Sequence, residues 1–501
     1  MKVLLVSFYN EEAYGLRSLH SCLVADNVDA RMLFFKIESK HYRVNHDDEL
    51  KKNFNAIINE VTEKESKLFL DFISEFKPDV IAFSLVSSNF HLYKRIYSRI
   101  KNLDGFKIII GGWQPSLNPE ECIHYTDYLC IGEGERAICE LIRKLRDCEP
   151  VDNIENFWIN KETTIVKNKV RPLTDNISSF PLPLFDDKFS YSIENSEIVS
   201  GEPYSDNIRY GTFIGRGCPY HCTYCSNSYM AKNIYPKSWA KTRYRNIEHV
   251  MNELRIVKEK LTKVHSINFY DEVFSPSMDW IKVFFKKYKE EIAIPFYCMF
   301  FPGSCSEEQC KVLTDAGLKG VWLGVQSGSE RVRREVFKRY YKNGKILEQA
   351  QIFHKHGVDV RYDFIFDNPF ETFKESLESI YLMFELPQPF SLTPFSLKFF
   401  PNTEITKMAL KAGFITKSSL DDQRDKSQDN YCVRMDNTNA EQKFIDYLAV
   451  YISFISRIGK LKKQKKMLMD ITEDYKVNKD ISAISQLLQP YLCNKGRAVI
   501  R

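Results

Sequence analysis

No run of about 18 apolar residues occurs in this chain of 501, so nothing in it predicts a membrane-spanning helix. Charge of one sign does not prevail either. Lys and Arg number 71 against 66 Asp and Glu, and the net of +5 leaves no basic stripe for a nucleic-acid partner. Internal repeats and long low-complexity tracts are missing, which excludes a solenoid or an array. The opening MKVLLVSFYN has too short an apolar run for a secretory signal, meets Glu11 and Glu12 at once, and lacks a small-residue cleavage site. It reads instead as a buried first strand. With no export signal, the thirteen cysteines imply a reducing compartment in which most thiols serve as small core residues. The expected location is cytoplasmic.

What the chain does have, over residues 1–150, is alternation of apolar strands and helical stretches. VLLVSF (3–8), DARMLFFK (29–36), KPDVIAFSLVSS (77–88), FKIIIGGWQPS (106–116) and DYLCIGEGE (127–135) read as strands, with helices over about 15–24 and 92–101. Continuous apolar strands separated by helices mean a parallel sheet covered on both faces, a doubly wound α/β domain. Over residues 151–207 the pattern weakens, and PLTDNISSFPLPLFDD reads as part of an extended linker. A second strand–helix series fills residues 208–413. Its strands are RYGTFIG, HSINFYD, IPFYCMF, GVWLGVQ, VDVRYDFIF and PFSLKFF, which predicts a full or partial barrel with sites at the strand ends. Residues 414–501 are polar and then helical, and are expected to cover the barrel mouth. Their basic run GKLKKQKK reads as a solvated helix face.

Three cysteines fall close together in GRGCPYHCTYCSN. Cys218, Cys222 and Cys225 make C-x3-C-x2-C on a glycine-rich loop directly after a strand. A structural zinc site needs four ligands, and only His221 is at hand, from a poor position between the cysteines. A redox C-x2-C leaves Cys218 and the glycines unexplained. A 4Fe–4S cluster held by three thiolates leaves one iron open to bind something else.

This loop resembles the signature of the radical S-adenosylmethionine (SAM) enzymes, with Tyr224 just before the last cysteine. INFYDEVFS, LGVQSGSERV, YDFIFDNPFET and FFPNTEITKMALKAG follow in family-like order, so the resemblance covers about residues 208–413. It implies that Cys218, Cys222 and Cys225 hold the cluster, that the open iron binds SAM, and that one electron cleaves SAM to a 5′-deoxyadenosyl radical. It also implies that Tyr224 packs on the adenine, and that Glu272, Gln326, Ser327 and Arg361 contact SAM, with Asp271 beside Glu272 at a strand end. Strand-end polar residues also cap helices. The family commonly has glycine where Asp367 stands. Cys298, Cys305 and Cys310 read as core or loop thiols, and His354 and His356 as complements to a helix dipole.

An α/β domain preceding such a core resembles the cobalamin-binding domain of a large subgroup. On that resemblance Ser84, Ser87, Ser88, Gly111, Gly112, Glu133 and Gly134 are the cobalamin contacts. Small residues let a corrin or its nucleotide tail approach closely. Where such domains carry D-x-H-x-x-G, this chain has Asn10 and Glu12, and His20 lies beyond the ligand position. Cobalamin is therefore expected without a histidine ligand, the residue below cobalt coming from 85–90.

Together these imply a Rossmann-like cobalamin-binding domain, a partial (β/α)6 radical SAM barrel and a C-terminal helical region. The implied function is methyl transfer from methylcobalamin to an unactivated carbon of a small-molecule or peptide substrate, with flavodoxin or ferredoxin as reductant. A cyclase or rearrangement enzyme using the same cofactors is one alternative, and a non-catalytic cobalamin-responsive protein is another.

Overall fold

Strand β1 (Lys2–Phe8) is buried from Val3 onward, and its alternate side chains feed two different cores. Leu4, Val6 and Phe8 join Phe69, Phe83 and Ile96 on one face, while Val3 and Leu5 join Leu16, Leu23 and Leu141 on the other. In a parallel sheet that arrangement requires helices on both sides. The computed structural model describes residues 1–37, 61–420 and 437–491. Two compact units emerge: residues 1–220, 225–265 and 400–428, and residues 221–224, 266–399 and 429–501.

In the first unit β1 lies between β2 (Asp29–Phe35) and β3 (Val80–Ser84), followed outward by β4 (Lys107–Gly111) and β5 (Tyr128–Cys130), all parallel. Helices α1 (Tyr14–Ala25), α2 (Glu63–Phe76), α3 (Phe90–Ile100) and α4 (Glu135–Arg146) supply the apolar stripes of the two cores. The chain leaves β1 for β2 on one side and returns to β3 on the other. That reversal makes a switch-point crevice at the carboxyl ends of β1 and β3.

Residues 151–207, expected as an extended linker, extend this sheet at both edges. In the hairpin of β6 (Phe157–Asn160) and β7 (Ile165–Lys167), β6 pairs antiparallel with β5 and β7 antiparallel with β6. On the far side β8 (Ser190–Glu194) pairs parallel with β2, and β9 (Glu197–Ser200) folds back on β8. Both outermost strands, β7 and β9, are half-exposed or exposed, so their sequences lack the apolar runs that mark central strands.

Residues 208–220 and 225–265 also belong to the first unit. They contribute β10 (Arg209–Thr212), the short antiparallel pair β11 (Gly215–Arg216) and β12 (Arg243–Tyr244), and helix α5 (Ile247–Lys260). A buried charge fixes them there. The Glu253 carboxylate on α5 accepts from Tyr14 of α1 (3.0 Å), Tyr210 and Thr212 of β10 (2.9 and 2.5 Å) and Arg245 (2.6 Å). Every lone-pair direction of this carboxylate is used, which is what a buried ion needs.

The second unit holds five parallel strands in chain order: β13 (Ser266–Phe269), β14 (Phe296–Phe300), β15 (Leu318–Gln326), β16 (Asp359–Phe366) and β17 (Ser391–Ser396). Helices α6 (Met278–Glu291), α7 (Glu307–Asp315), α8 (Asn343–Lys355) and α9 (Phe373–Glu385) alternate with them. The last strand begins three residues before the expected PFSLKFF and includes Pro394. It sits at the sheet edge, where a residue without an N–H is tolerated. The C-terminal region supplies α10 (Ala440–Arg457), α11 (Leu461–Asn478) and α12 (Ser482–Leu488); its residues 421–436 and 492–501 lie outside the described residues. Rather than a lid over strand ends, α10 is a core helix. It packs on edge strand β17 and on α9, and the Phe390 amide donates to Ser456 O. No helix among the described residues is long and apolar enough to cross a membrane.

Removing one partner of a fully satisfied buried ion costs about 3–5 kcal/mol. Glu253→Ala is therefore expected to lower unfolding free energy by about that much in urea titrations. Glu248→Ala, on the exposed pair Glu248–Arg255, should change it by about 1 kcal/mol or less.

Candidate functional site

The carboxyl edge of the first sheet collects the small residues singled out from the sequence. Ser84 ends β3 and Gly111 ends β4, side by side in register. Gly112 has φ +101°, and a Cβ there would fall 2.7 Å from Leu85 O. That glycine is thus required by the loop's own packing, before any ligand is considered. Ser87 is buried and donates to Gln114 Oε1 (2.7 Å), whereas Ser84 and Ser88 are half-exposed. Gly134 precedes α4. Glu133 is already engaged: its carboxylate accepts from Arg243 at 2.5 and 3.2 Å and meets Arg216 at 3.4 Å. The side chain ties the β5–α4 loop to the β11–β12 pair. Ser84, Gly111 and Gly112 put small residues at this edge, which allows close approach of a broad flat ligand such as a corrin.

At the β1–α1 loop, Asn10 Oδ1 accepts from the Ala13 amide (2.8 Å), making Asn10 a loop staple. Burial and the neighbouring Glu11 push the Glu12 carboxyl up to about 7. His20 is fully buried against Ala30 O (3.2 Å), and burial pushes its imidazole down to about 4. It is a neutral core group.

The cysteine loop leaves β11 through Gly217, whose φ is +108° and whose Cβ, if present, would lie 2.6 Å from Trp239 O. Only glycine lets the Cys218 amide reach that oxygen, at 3.2 Å. Trp239 stacks on Tyr235 and donates to Asn227 Oδ1 (2.9 Å), and Asn227 Nδ2 points at Cys225 Sγ (3.8 Å). Within the second unit, Thr223 is pinned by Val336 O (2.6 Å) and the Phe337 carbonyl (3.2 Å). The Tyr224 ring stands edge-on to Phe337. Its hydroxyl accepts from Arg339 Nη1 (3.2 Å), and the same nitrogen lies 3.5 Å from Cys222 Sγ.

None of the three cysteines is in a disulfide, and Cys218 and Cys222 are buried. Among the described residues no group of three or more His, Cys, Asp or Glu side chains is gathered for a metal ion. What fits an iron–sulfur cluster is the donor chemistry: three thiols on one short loop, with side-chain N–H groups directed at two of the sulfurs. Cys298, Cys305 and Cys310 are buried core thiols. His354 closes the last turn of α8, with His356 at its C-cap.

Of the residues expected to contact SAM, Ser327 is fully buried. It donates to Glu371 Oε1 (3.0 Å) and accepts from the Ser329 amide (3.1 Å). Gln326, with φ +72°, sits at an irregularity between β15 and β16. Glu272 is half-buried in the loop after β13, beside buried Asp271. Arg361 lies on a distinct face of the second sheet. There Phe296, Cys298, Val321, Leu323, Tyr362 and Phe364 point to the buried side, while Tyr297, Trp322, Arg361 and Asp363 alternate onto a half-exposed one. Arg361 donates to Thr393 Oγ1, and Asp363 stands 3.8 Å from it. Burial pushes the Asp363 carboxyl up to about 6 against the pull of Arg361, and its buried Oδ1 has no hydrogen-bond partner among the described residues. Trp322 touches Tyr297 and Tyr270, giving an aromatic wall next to this acid.

Sequence reasoning missed Arg339, Asp363 and Glu371. Asp363 was within reach, since it lies two residues beyond Arg361 on the same strand and shares its face by the period of two. Arg339, in KRYYK, carries no local signal.

Comparison with known proteins gives two family matches: a "B12 binding domain" over residues 3–142 and the "Radical SAM superfamily" over residues 212–381. The chain is similar to cytidylyl-2-hydroxyethylphosphonate methyltransferase of Streptomyces wedmorensis, 21% identical over 53% of each chain. It is also similar to tryptophan 2-C-methyltransferase of Streptomyces laurentii, 23% identical over 61% of this chain and 58% of that one. It therefore spans little more than half the length of these relatives. Among solved structures it is similar to the cobalamin-dependent SAM radical enzyme OxsB, with TM-score 0.66, 16% identity and coverage of 98% of this chain and 75% of that one. The methyltransferase TsrM from Kitasatospora setae gives TM-score 0.62 at 15% identity, over 82% and 76%. At these identities the structural likeness is one of fold.

Burial, reinforced by the charges of Glu375 and Glu378, pushes the Glu371 carboxyl up to about 8, so it keeps its proton at neutral pH. A folded pKa above the unfolded one gives stability that is complete below about pH 4.5 and is lost as pH rises through about 8. Urea titrations from pH 5 to pH 8.5 should therefore show a fall in stability that Glu371→Gln, which mimics the protonated acid, reduces.

Proposed function

Because this chain belongs to the family that joins a cobalamin-binding domain to a radical SAM domain, we propose that it is a SAM-dependent C-methyltransferase. It acts on an unactivated carbon of a small-molecule or peptide substrate. When bound, a 4Fe–4S cluster supplies the electron that cleaves SAM to a 5′-deoxyadenosyl radical, and cobalamin carries the methyl group. Cys218, Cys222 and Cys225 hold the cluster. Tyr224, Glu272, Gln326, Ser327 and Arg361 serve SAM, while Ser84, Ser87, Ser88, Gly111, Gly112, Glu133 and Gly134 line the cobalamin edge. The proposed functional division is 1–150 for cobalamin, with 151–207 adding edge strands to the same sheet, 208–413 for the radical SAM core and 414–501 as an accessory region. Flavodoxin or ferredoxin is the proposed reductant. An oxygen-labile cluster in a chain of thirteen cysteines favours the cytoplasm.

The observation that carries this reading is the presence, on one chain, of a small-residue switch-point edge and a three-thiol loop with N–H donors on its sulfurs. The named curated relatives, all methyltransferases, favour methyl transfer over cyclisation. The half-exposed face bearing Asp363, Arg361 and Trp322 is the proposed substrate wall.

The test is anaerobic turnover. Protein reconstituted with iron, sulfide and cobalamin is given SAM and a chemical reductant, and products are read by mass spectrometry. Both 5′-deoxyadenosine and S-adenosylhomocysteine are expected from the wild type, with 5′-deoxyadenosine lost in Cys222→Ala. Deoxyadenosine alone in the presence of substrate would point to a cyclase or rearrangement enzyme. Neither product, from fully loaded protein with substrate, would leave a cobalamin-responsive binding protein.

A further inference from the structure

Arg339 is 6% exposed, and none of its hydrogen-bond or ion-pair partners among the described residues is a carboxylate. Its Nη2 donates to Gly324 O (2.5 Å) and its Nε to the Tyr341 hydroxyl (3.0 Å), while the guanidinium lies over the Phe301 ring at 4.2 Å. Nη1 serves the Tyr224 hydroxyl and Cys222 Sγ. Three other buried arginines are treated differently. Arg17, Arg243 and Arg245 meet Glu202, Glu133 and Glu253 at 2.6, 2.5 and 2.6 Å. Nearby Arg333 adds a second buried cation against the Tyr341 ring, and its acid, Glu330, is only at 4.0 Å and exposed.

A guanidinium does not give up its proton in a protein, so it cannot escape burial by becoming neutral. Burying it without a counter-charge is unfavourable, because the desolvation of the ion is not repaid by an opposite charge. Four elements nevertheless hold it in place: the end of β15, the Phe301 loop, Tyr341 and the cysteine loop. Within its hydrogen-bond reach lies one group that ligation of a metal would turn into an anion, the Cys222 sulfur.

We propose that Arg339 is the counter-cation of the cluster at Cys222, a positioning residue that favours the cluster's reduced, more negative state. The inference rests on the reading that Cys218, Cys222 and Cys225 hold a 4Fe–4S cluster. With Cys222 as an iron-bound thiolate, the fixed charge 3.5 Å from its sulfur is compensated, and each added electron gains attraction in a low-dielectric site. Net charge and hydrogen bonds to the sulfurs are among the terms that set such potentials. The same guanidinium orients Tyr224, so the aromatic ring beside the last cysteine and the cluster's electrostatics share one anchor.

The experiment is a potentiometric titration of the reconstituted protein followed by electron paramagnetic resonance, on wild type, Arg339→Met and Arg339→Lys. Iron and sulfide content and circular-dichroism melting are measured on each sample. In Arg339→Met the equilibrium for reduction should fall about tenfold, a midpoint about 59 mV more negative for one electron. Arg339→Lys, which keeps the charge, should recover most of the loss. A full cluster in Arg339→Met with an unchanged midpoint would overturn the role of Arg339 alone. So would a loss in Arg339→Lys as large as in Arg339→Met. If both variants stay folded but take up no cluster, Arg339 is a structural support and not an electrostatic one. A wild type that binds neither iron nor sulfide overturns the proposal together with the reading beneath it.

Discussion

Buried charge must be answered by opposite charge, and this chain meets that requirement in two contrasting ways. At Glu253 the answer is complete inside the protein: one guanidinium and three hydroxyls surround the carboxylate and bind α5 and β10 to α1. At Arg339 the answer is incomplete, since carbonyl, phenol and aromatic face give it no negative partner. The first arrangement is that of a finished core. The second leaves a buried cation without an acid among the described residues, which is the ground for the proposed cluster counter-charge.

The same logic runs through the loops that carry the candidate chemistry. Gly217 and Gly112 hold left-handed backbone against a carbonyl 2.6 and 2.7 Å from where a side chain would begin, which fixes where each loop leaves its strand. Arg216 and Arg243 then clamp Glu133, so the end of β5 and the start of the cysteine loop move as one piece. Rigid strands present small residues at one edge and thiols on one loop, and the charged clamps keep both in register.

Much of this was legible in the sequence, for identifiable reasons. The central strands are buried on both faces and read as continuous apolar runs, and the thiols are marked by their spacing. Hairpins β6–β7 and β8–β9 were hidden because edge strands are short and partly polar, with prolines between them. Pro394 masked the start of β17, although an edge strand tolerates it. Helix α10 reads in sequence as part of a cover over strand ends, yet its burial at Phe444, Ile445, Leu448, Ile452 and Ile455 is that of a core element. Arg339 had no signature at all. Its meaning is the absence of an acid around it, and only three-dimensional neighbours reveal that.

The central claim is that three thiolates hold a 4Fe–4S cluster with one iron left open. The most direct measurement is iron, zinc and acid-labile sulfide content of anaerobically purified and reconstituted protein, combined with Mössbauer spectroscopy on the iron-57 form with and without SAM. The account predicts a single cubane cluster, matching iron and sulfide, no zinc, and one iron site whose spectrum changes when SAM is added. A chain that retains one zinc and no sulfide, or a cluster whose irons are all indifferent to SAM, would contradict it.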